Sequence, residues 1–198
     1  MTFTPTVERW RSTVNNVIRS YLSKNTTEIS SIGHSGMTIY GQGNTNTPSL
    51  EDIILATIQR ESGGIPEVTG DNGNSVGLMQ LNWGAGTPQG LGYKGTKADL
   101  YAPETNIFYG LKYFLKQLAR YSGNVSKAIL AYGSGTYMID QAGIPVGYSN
   151  LTKVLTWLGI TEEKLLSIMD KNRVAISFTT IIVISSLIFL ISHGKKNS

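Results

Sequence analysis

The stretch SLEDIILATIQRESGG, Ser49 to Gly64, decides how the chain is read, because it predicts an apolar helix that ends in a carboxylate and two glycines. Ser49 is an N-cap candidate with Asp52 three residues on, a variant of the capping box, so the helix is expected to start near Leu50. At about 100° per residue, Leu50, Ile54, Thr57, Ile58 and Glu61 share one stripe, with Gln59 on the far side and Arg60 at the edge. Glu61 is thereby turned toward a core or a cleft. Burial and the partial negative charge of a helix C-terminus both disfavour a charged carboxyl, which suits such a group to donate a proton. Gly63 and Gly64 fit as caps and leave no side chain to block a ligand. The helix alone also allows the opposite reading, an exposed last-turn glutamate paired with a lysine.

The 198 residues have room for one globular domain with extras, and the 40% hydrophobic content supports a core once one late apolar segment is discounted. Glycine is abundant, at 22 residues, and most lie between Gly63 and Gly147, so the middle of the chain is expected to be rich in loops. A formal charge of +4 without basic clusters is too scattered for a nucleic-acid footprint, though compatible with an anionic polymer such as a cell wall. The absence of cysteine excludes disulfides, thiolate metal sites and a cysteine nucleophile. His34 and His193 fall in a polar linker and a basic tail, so neither a histidine triad nor a zinc site is expected, and no cofactor is implied.

Residues 1–24 are too charged for a secretory signal, at Glu8, Arg9, Arg11 and Arg19, and read as an amphipathic helix packed on its own domain. A polar linker is expected over 25–47, the catalytic domain over 48–150 and a helical connector over 151–172. Helices are predicted from Pro103, over VSKAILAY ending at Gly133, and, largely in the connector, over SNLTKVLTWLG. From Val174 to Ile191 the chain runs 18 residues without a charge. That is about 27 Å of helix, so 173–192 is expected to cross a membrane, ahead of a basic tail at 193–198. A buried core helix is the alternative; Lys171 and Arg173 on one side and Lys195 and Lys196 on the other leave the orientation open.

Three further pieces follow ESGG in order: GLMQ at Gly77 to Gln80, PETNIFYGLKYF from Pro103, and AYGSG from Ala131 to Gly135. Together they resemble the soluble lytic transglycosylase domain, which cleaves peptidoglycan, over roughly residues 48 to 140. The resemblance implies a mainly α fold, α+β and lysozyme-like, with long glycine-rich loops, here followed by the transmembrane helix. It implies that Glu61 is the sole catalytic acid and base, that Ser62 supports it, and that the Tyr132 hydroxyl reaches it. Gly77, Leu78, Met79 and Gln80 match the second motif, where the glycine permits close approach and the glutamine contacts sugar. Asn106 and Ile107 match residues of structural role. The family pattern is usually AYNAG, so Gly133 and Ser134 depart from it at the place of a sugar-binding asparagine.

The reaction so implied is cleavage of the bond between N-acetylmuramic acid and N-acetylglucosamine, with closure of a 1,6-anhydro ring. A second carboxylate facing Glu61, at Asp71 or Asp99, would instead activate water as in a muramidase. Trp83 and Tyr93 read equally as sugar-stacking platforms and as satellite core. A catalytically idle wall-binding membrane protein is a further alternative, against which the retention of Glu61 and Tyr132 speaks. The expected partners are peptidoglycan strands and a lipid bilayer, with no nucleic acid. The expected setting is a virion membrane or a bacterial inner membrane, in a phage opening the wall during genome delivery or in a conjugation or secretion machine.

Overall fold

The predicted helix forms as α4, Leu50–Ser62, and it is the axis of the domain. The Ser49 hydroxyl accepts from the Asp52 amide at 3.0 Å and donates to the Asp52 carboxylate at 2.6 Å, which closes the capping box. Gly63 ends the helix in the left-handed region at φ 62°. The computed structural model describes residues 3–35, 37–38, 48–141 and 144–160. The expected membrane helix at 173–192 and the tail at 193–198 lie outside the described residues, among which no helix is long and apolar enough to cross a membrane.

Burial around α4 exceeds the single stripe that periodicity predicts: every residue from Leu50 to Ile58 is buried. The reason is that helices close on it from several sides. They are α1 (Pro5–Glu8), α2 (Arg11–Leu22) and α8 (Tyr148–Trp157). The two acids in its first turn, Glu51 and Asp52, are tolerated at 2% and 0% exposure because Arg11 of α2 pairs with both. Buried carboxylates need such a partner.

The N-terminal segment packs on the domain, as two helices rather than one. Val14, Val17, Ile18, Tyr21 and Leu22 bury the apolar face of α2. The short α1 instead grips the end of α4. Arg9 and the Trp10 indole both donate to the Gly64 carbonyl, at 3.0 and 2.9 Å, and the Thr4 amide donates to Gln59 Oε1 at 2.9 Å. The Thr6 carbonyl oxygen stands 2.6 Å from where a Cβ of residue 64 would lie, so only glycine fits beneath it.

The expected polar linker holds a helix, α3 (Thr26–Ser35). Its Ser, Thr and Gly content hides the signal, and packing against α2 and α6 (Pro103–Arg120), with Ile32 buried, supplies what propensity does not. Pro103 opens α6, and Ile107, Leu111, Phe114, Leu115 and Leu118 face the core as predicted. The next helix, α7 (Val125–Ser134), runs through Gly133 and stops at Gly135, two residues later than the sequence suggests. Leu151, Val154 and Leu155 of α8 join the same core, so α8 is part of the domain and not a connector leading away from it.

Between α4 and α6 the glycine-rich region forms only a three-stranded antiparallel sheet of two-residue strands, β1 (Thr69–Gly70), β2 (Ser75–Val76) and β3 (Leu81–Asn82), with α5 (Thr87–Gly90) after it. So little regular pairing leaves the loop to be fixed by side chains. Asn106, fully buried at the start of α6, does this: it accepts from the Met79 amide at 2.7 Å and donates to the Val76 and Leu100 carbonyls at 2.9 and 2.8 Å. A side chain at Gly77 would run into that amide and the Leu100 carbonyl. Replacing Asn106 by Ala leaves one buried donor and two acceptors without their partner, so a loss of about 3–5 kcal/mol is expected in urea unfolding.

Candidate active site

Glu61 lies at the last turn of α4 and opens onto a cleft of about 340 Å³. The sheet supplies one wall, through Asp71, Ser75, Gln80 and Asn82; α6 and α7 supply the other, through Tyr113, Tyr132 and Gly133. The lining is mainly polar, as a carbohydrate site requires. A second recess of about 390 Å³, lined among others by Tyr21, Glu28, Leu91 and Lys112, opens on another part of the helical layer and does not include Glu61, GLMQ or AYGSG.

The Glu61 carboxyl is not sealed in the core: its side chain keeps 20% exposure. Its partner is neither water-facing lysine nor Tyr132 but the preceding residue. Arg60 donates to Glu61 Oε1 through Nε at 2.8 Å and again through Nη2. The other oxygen, Oε2, has no partner among the described residues.

Tyr132 departs from its expected role. Its hydroxyl donates to the Met79 carbonyl at 2.9 Å instead of reaching the acid. A buried hydroxyl must find an acceptor, and the backbone of the second motif provides it. The phenol is nonetheless within the field of the site: burial pushes its pKa well above the ordinary value, and the negative charge of Glu61 pushes it further in the same direction.

The second motif divides. Gln80 lines the cleft, but Leu78 and Met79 are fully buried and Gly77 lies against Asn106, so these three are not among its lining residues and form its bed. Ser62 belongs to the same bed, donating to the Leu78 carbonyl at 2.8 Å. Gln80 stands at φ 45°, a left-handed conformation that costs about 1–2 kcal/mol for a non-glycine residue. Its amide holds it there, donating to the Val68 and Gly77 carbonyls at 2.9 Å each. That leaves Oε1 as the part of the amide not spent on the backbone.

Trp83 is not in the cleft lining. It packs edge-on against Tyr93, with ring centroids 6.4 Å apart, in the small cluster of Val76, Leu81, Tyr93 and Leu100. Tyr93 is buried in that cluster and Trp83 half-buried against it. Asp99 is spent locally, accepting from the Thr96 amide and hydroxyl at 2.8 Å each, which lowers its pKa. Asp71 does line the cleft, in a turn where it and Asn72 both have positive φ, and its carboxylate accepts from Ser75 Oγ. Among the described residues no group of acids and histidines could hold a metal.

Tyr113 and Arg60 are the site residues that sequence reasoning passes over. Tyr113 sits at the margin of the apolar face of α6, and its ring lies 5.1 Å from that of Tyr132. Burial raises its pKa as well. Arg60 stands at the edge of the helical stripe, where an arginine ordinarily reads as solvated.

The raised pKa of Tyr132 fixes a sign. Its contribution is fully present below the unfolded value near 10 and is lost as pH climbs above it toward the folded value. Tyr132→Phe is expected to cost about 1 kcal/mol at neutral pH, from the Met79 carbonyl left unpaired, and to flatten the fall in stability above about pH 10. Urea unfolding across the alkaline range checks both.

No solved structure matches the chain. The Transglycosylase SLT domain family matches residues 40–147, more than half of its length, and that span contains α4, the sheet, α6 and α7, with every lining residue of the cleft. The chain belongs to the transglycosylase SLT domain family, whose typical members are lytic transglycosylases acting on peptidoglycan.

Proposed function

We propose that this protein is a lytic transglycosylase that cleaves the β-1,4 bond between N-acetylmuramic acid and N-acetylglucosamine and leaves a 1,6-anhydro end. The observation that carries this reading is the placement of Glu61, whose Oε1 is held by Arg60 while Oε2 is left for the cleft. In the protonated state, Oε2 delivers its proton to the glycosidic oxygen as the C1–O bond breaks and the bonding pair leaves with that oxygen. The substrate's own 2-acetamido oxygen supports the oxocarbenium-like C1, taking the place of a second carboxylate. The Glu61 carboxylate then takes the proton of the 6-hydroxyl as O6 bonds to C1. The acid is regenerated and no water is consumed. Gln80, Tyr113 and Gly133, which line the cleft, are the residues proposed to contact sugar.

One observation favours a second reading: Asp71 lines the same cleft as Glu61. Hydrolysis would then give ordinary reducing ends. The bond from Ser75 and the turn conformation give Asp71 a structural role, and on that support we propose the anhydro reaction ahead of hydrolysis.

We place the activity at a membrane, with 173–192 as a single-pass anchor in a virion membrane or a bacterial inner membrane and local wall opening during genome delivery as the role. The support is the uncharged run from Val174 to Ile191.

Mass spectrometry of fragments released from purified peptidoglycan decides between the reactions. Anhydro ends, about 18 Da lighter than reducing ends, are expected from the wild type and from Asp71→Asn. Glu61→Gln is expected to lose at least about 100-fold in release, as removal of a general acid does. Reducing ends that vanish in Asp71→Asn would transfer the assignment to hydrolysis. Full-length protein is expected to fractionate with membranes and to leave them when 173–192 are deleted.

A further inference from the structure

Arg60 has all three guanidinium nitrogens engaged. Nε and Nη2 converge on Glu61 Oε1, while Nη1 donates to the Ile129 carbonyl of α7 at 3.3 Å. Its Cζ lies 5.9 Å from the centroid of the Tyr132 ring, and the side chain is 11% exposed. A solvated surface arginine has none of these features. The guanidinium lies behind the acid and beneath the cleft wall: a Cβ at Gly133, which lines the cleft, would stand 3.6 Å from Nη2.

We propose that Arg60 is the positioning residue of the reaction, a fork that fixes the rotamer of Glu61 against α7 so that Oε2 alone faces the glycosidic oxygen. The inference rests on the reading of Glu61 as acid and base and extends it to the group that aims it. Two donors on Oε1 leave no room for a proton there, so the labile proton is confined to Oε2. The planar fork, anchored at its third nitrogen, then holds that oxygen through both halves of the cycle. Glutamate has three rotatable bonds and a helix end to swing from, and misplacement of a reacting group by 1 Å costs about 100-fold in rate. A lysine would supply the charge without the fork.

Arg60→Ala and Arg60→Lys in the full-length protein test this, by initial rates of anhydro-end formation on soluble glycan strands at limiting and saturating concentration. Both variants are expected to lose about 10- to 100-fold in kcat with KM changed by less than about threefold, Lys less severely than Ala. Guanidinium chloride at about 20 mM is expected to restore part of the Arg60→Ala rate, and sodium chloride at equal ionic strength none of it, a pattern that a structural role would not give. If Ala fails to fold by thermal melting, Arg60→Gln, which keeps part of the stem and an uncharged NH2 donor, decides in its place. A folded variant with the wild-type kcat overturns the proposal and leaves the assignment of Glu61 standing. So does a loss confined to KM, or one that guanidinium does not relieve. A wild-type protein that forms no anhydro ends overturns both.

Discussion

The site depends on one buried amide. Residues between α4 and α6 have strands only two residues long, too short to set a cleft wall by sheet pairing. Asn106 compensates by taking three backbone groups from two parts of that loop onto the first turn of α6. Once the backbone at Val76 and Met79 is fixed there, its remaining carbonyls are presented in order: Leu78 to Ser62 beneath the acid, and Met79 to Tyr132 on α7. The loop thus becomes the joint between three helices. Such a joint has to be dry and fully bonded, since an unpaired polar group at its centre would cost as much as the joint contributes.

Around that joint the acid is placed by division of labour. The bed of the cleft, Ser62 to Leu78 and Met79, is buried and spends its polar groups on backbone, while the surface of the cleft is left to Glu61, Gln80, Tyr113 and the bare backbone of Gly133. Strain is tolerated where bonding over-determines it, as at Gln80. The hydroxyl of Tyr132 is part of the bed and its ring part of the wall, which explains how the residue is coupled electrostatically to Glu61 without a hydrogen bond to it.

The elements legible in the sequence are those whose physics is local. The capping box at Ser49, the proline start of α6 and the apolar faces of α6 and α8 follow from spacing alone, and the order of the four motifs is enough to suggest the family. What could not be read depends on partners distant in sequence. Helix α3 is stabilised by α2 and α6 and not by its own composition, and the burial of Glu51 and Asp52 is permitted by Arg11, about 40 residues earlier, as paired charges require. Arg60 reads only as an edge residue of the stripe, because nothing local shows that its guanidinium bonds to α7. Trp83 and Tyr93 read equally as platforms and as core because a loop aromatic carries no mark of which way it turns.

The clasp of the N-terminal segment on Gly64 extends the working unit beyond the region that the family shares. Residues 4–10 precede the matched span of 40–147, yet they hold the exit of the helix that carries the acid. Residues 4–10 and the turn at Gly63 and Gly64 therefore belong to one cooperative element, so that release of the first and loss of the setting of Glu61 are a single opening event. Amides at Gly63 and Gly64 should then exchange with solvent in step with those of α1, and the boundary of the smallest autonomous domain is drawn by this clasp and not by sequence similarity.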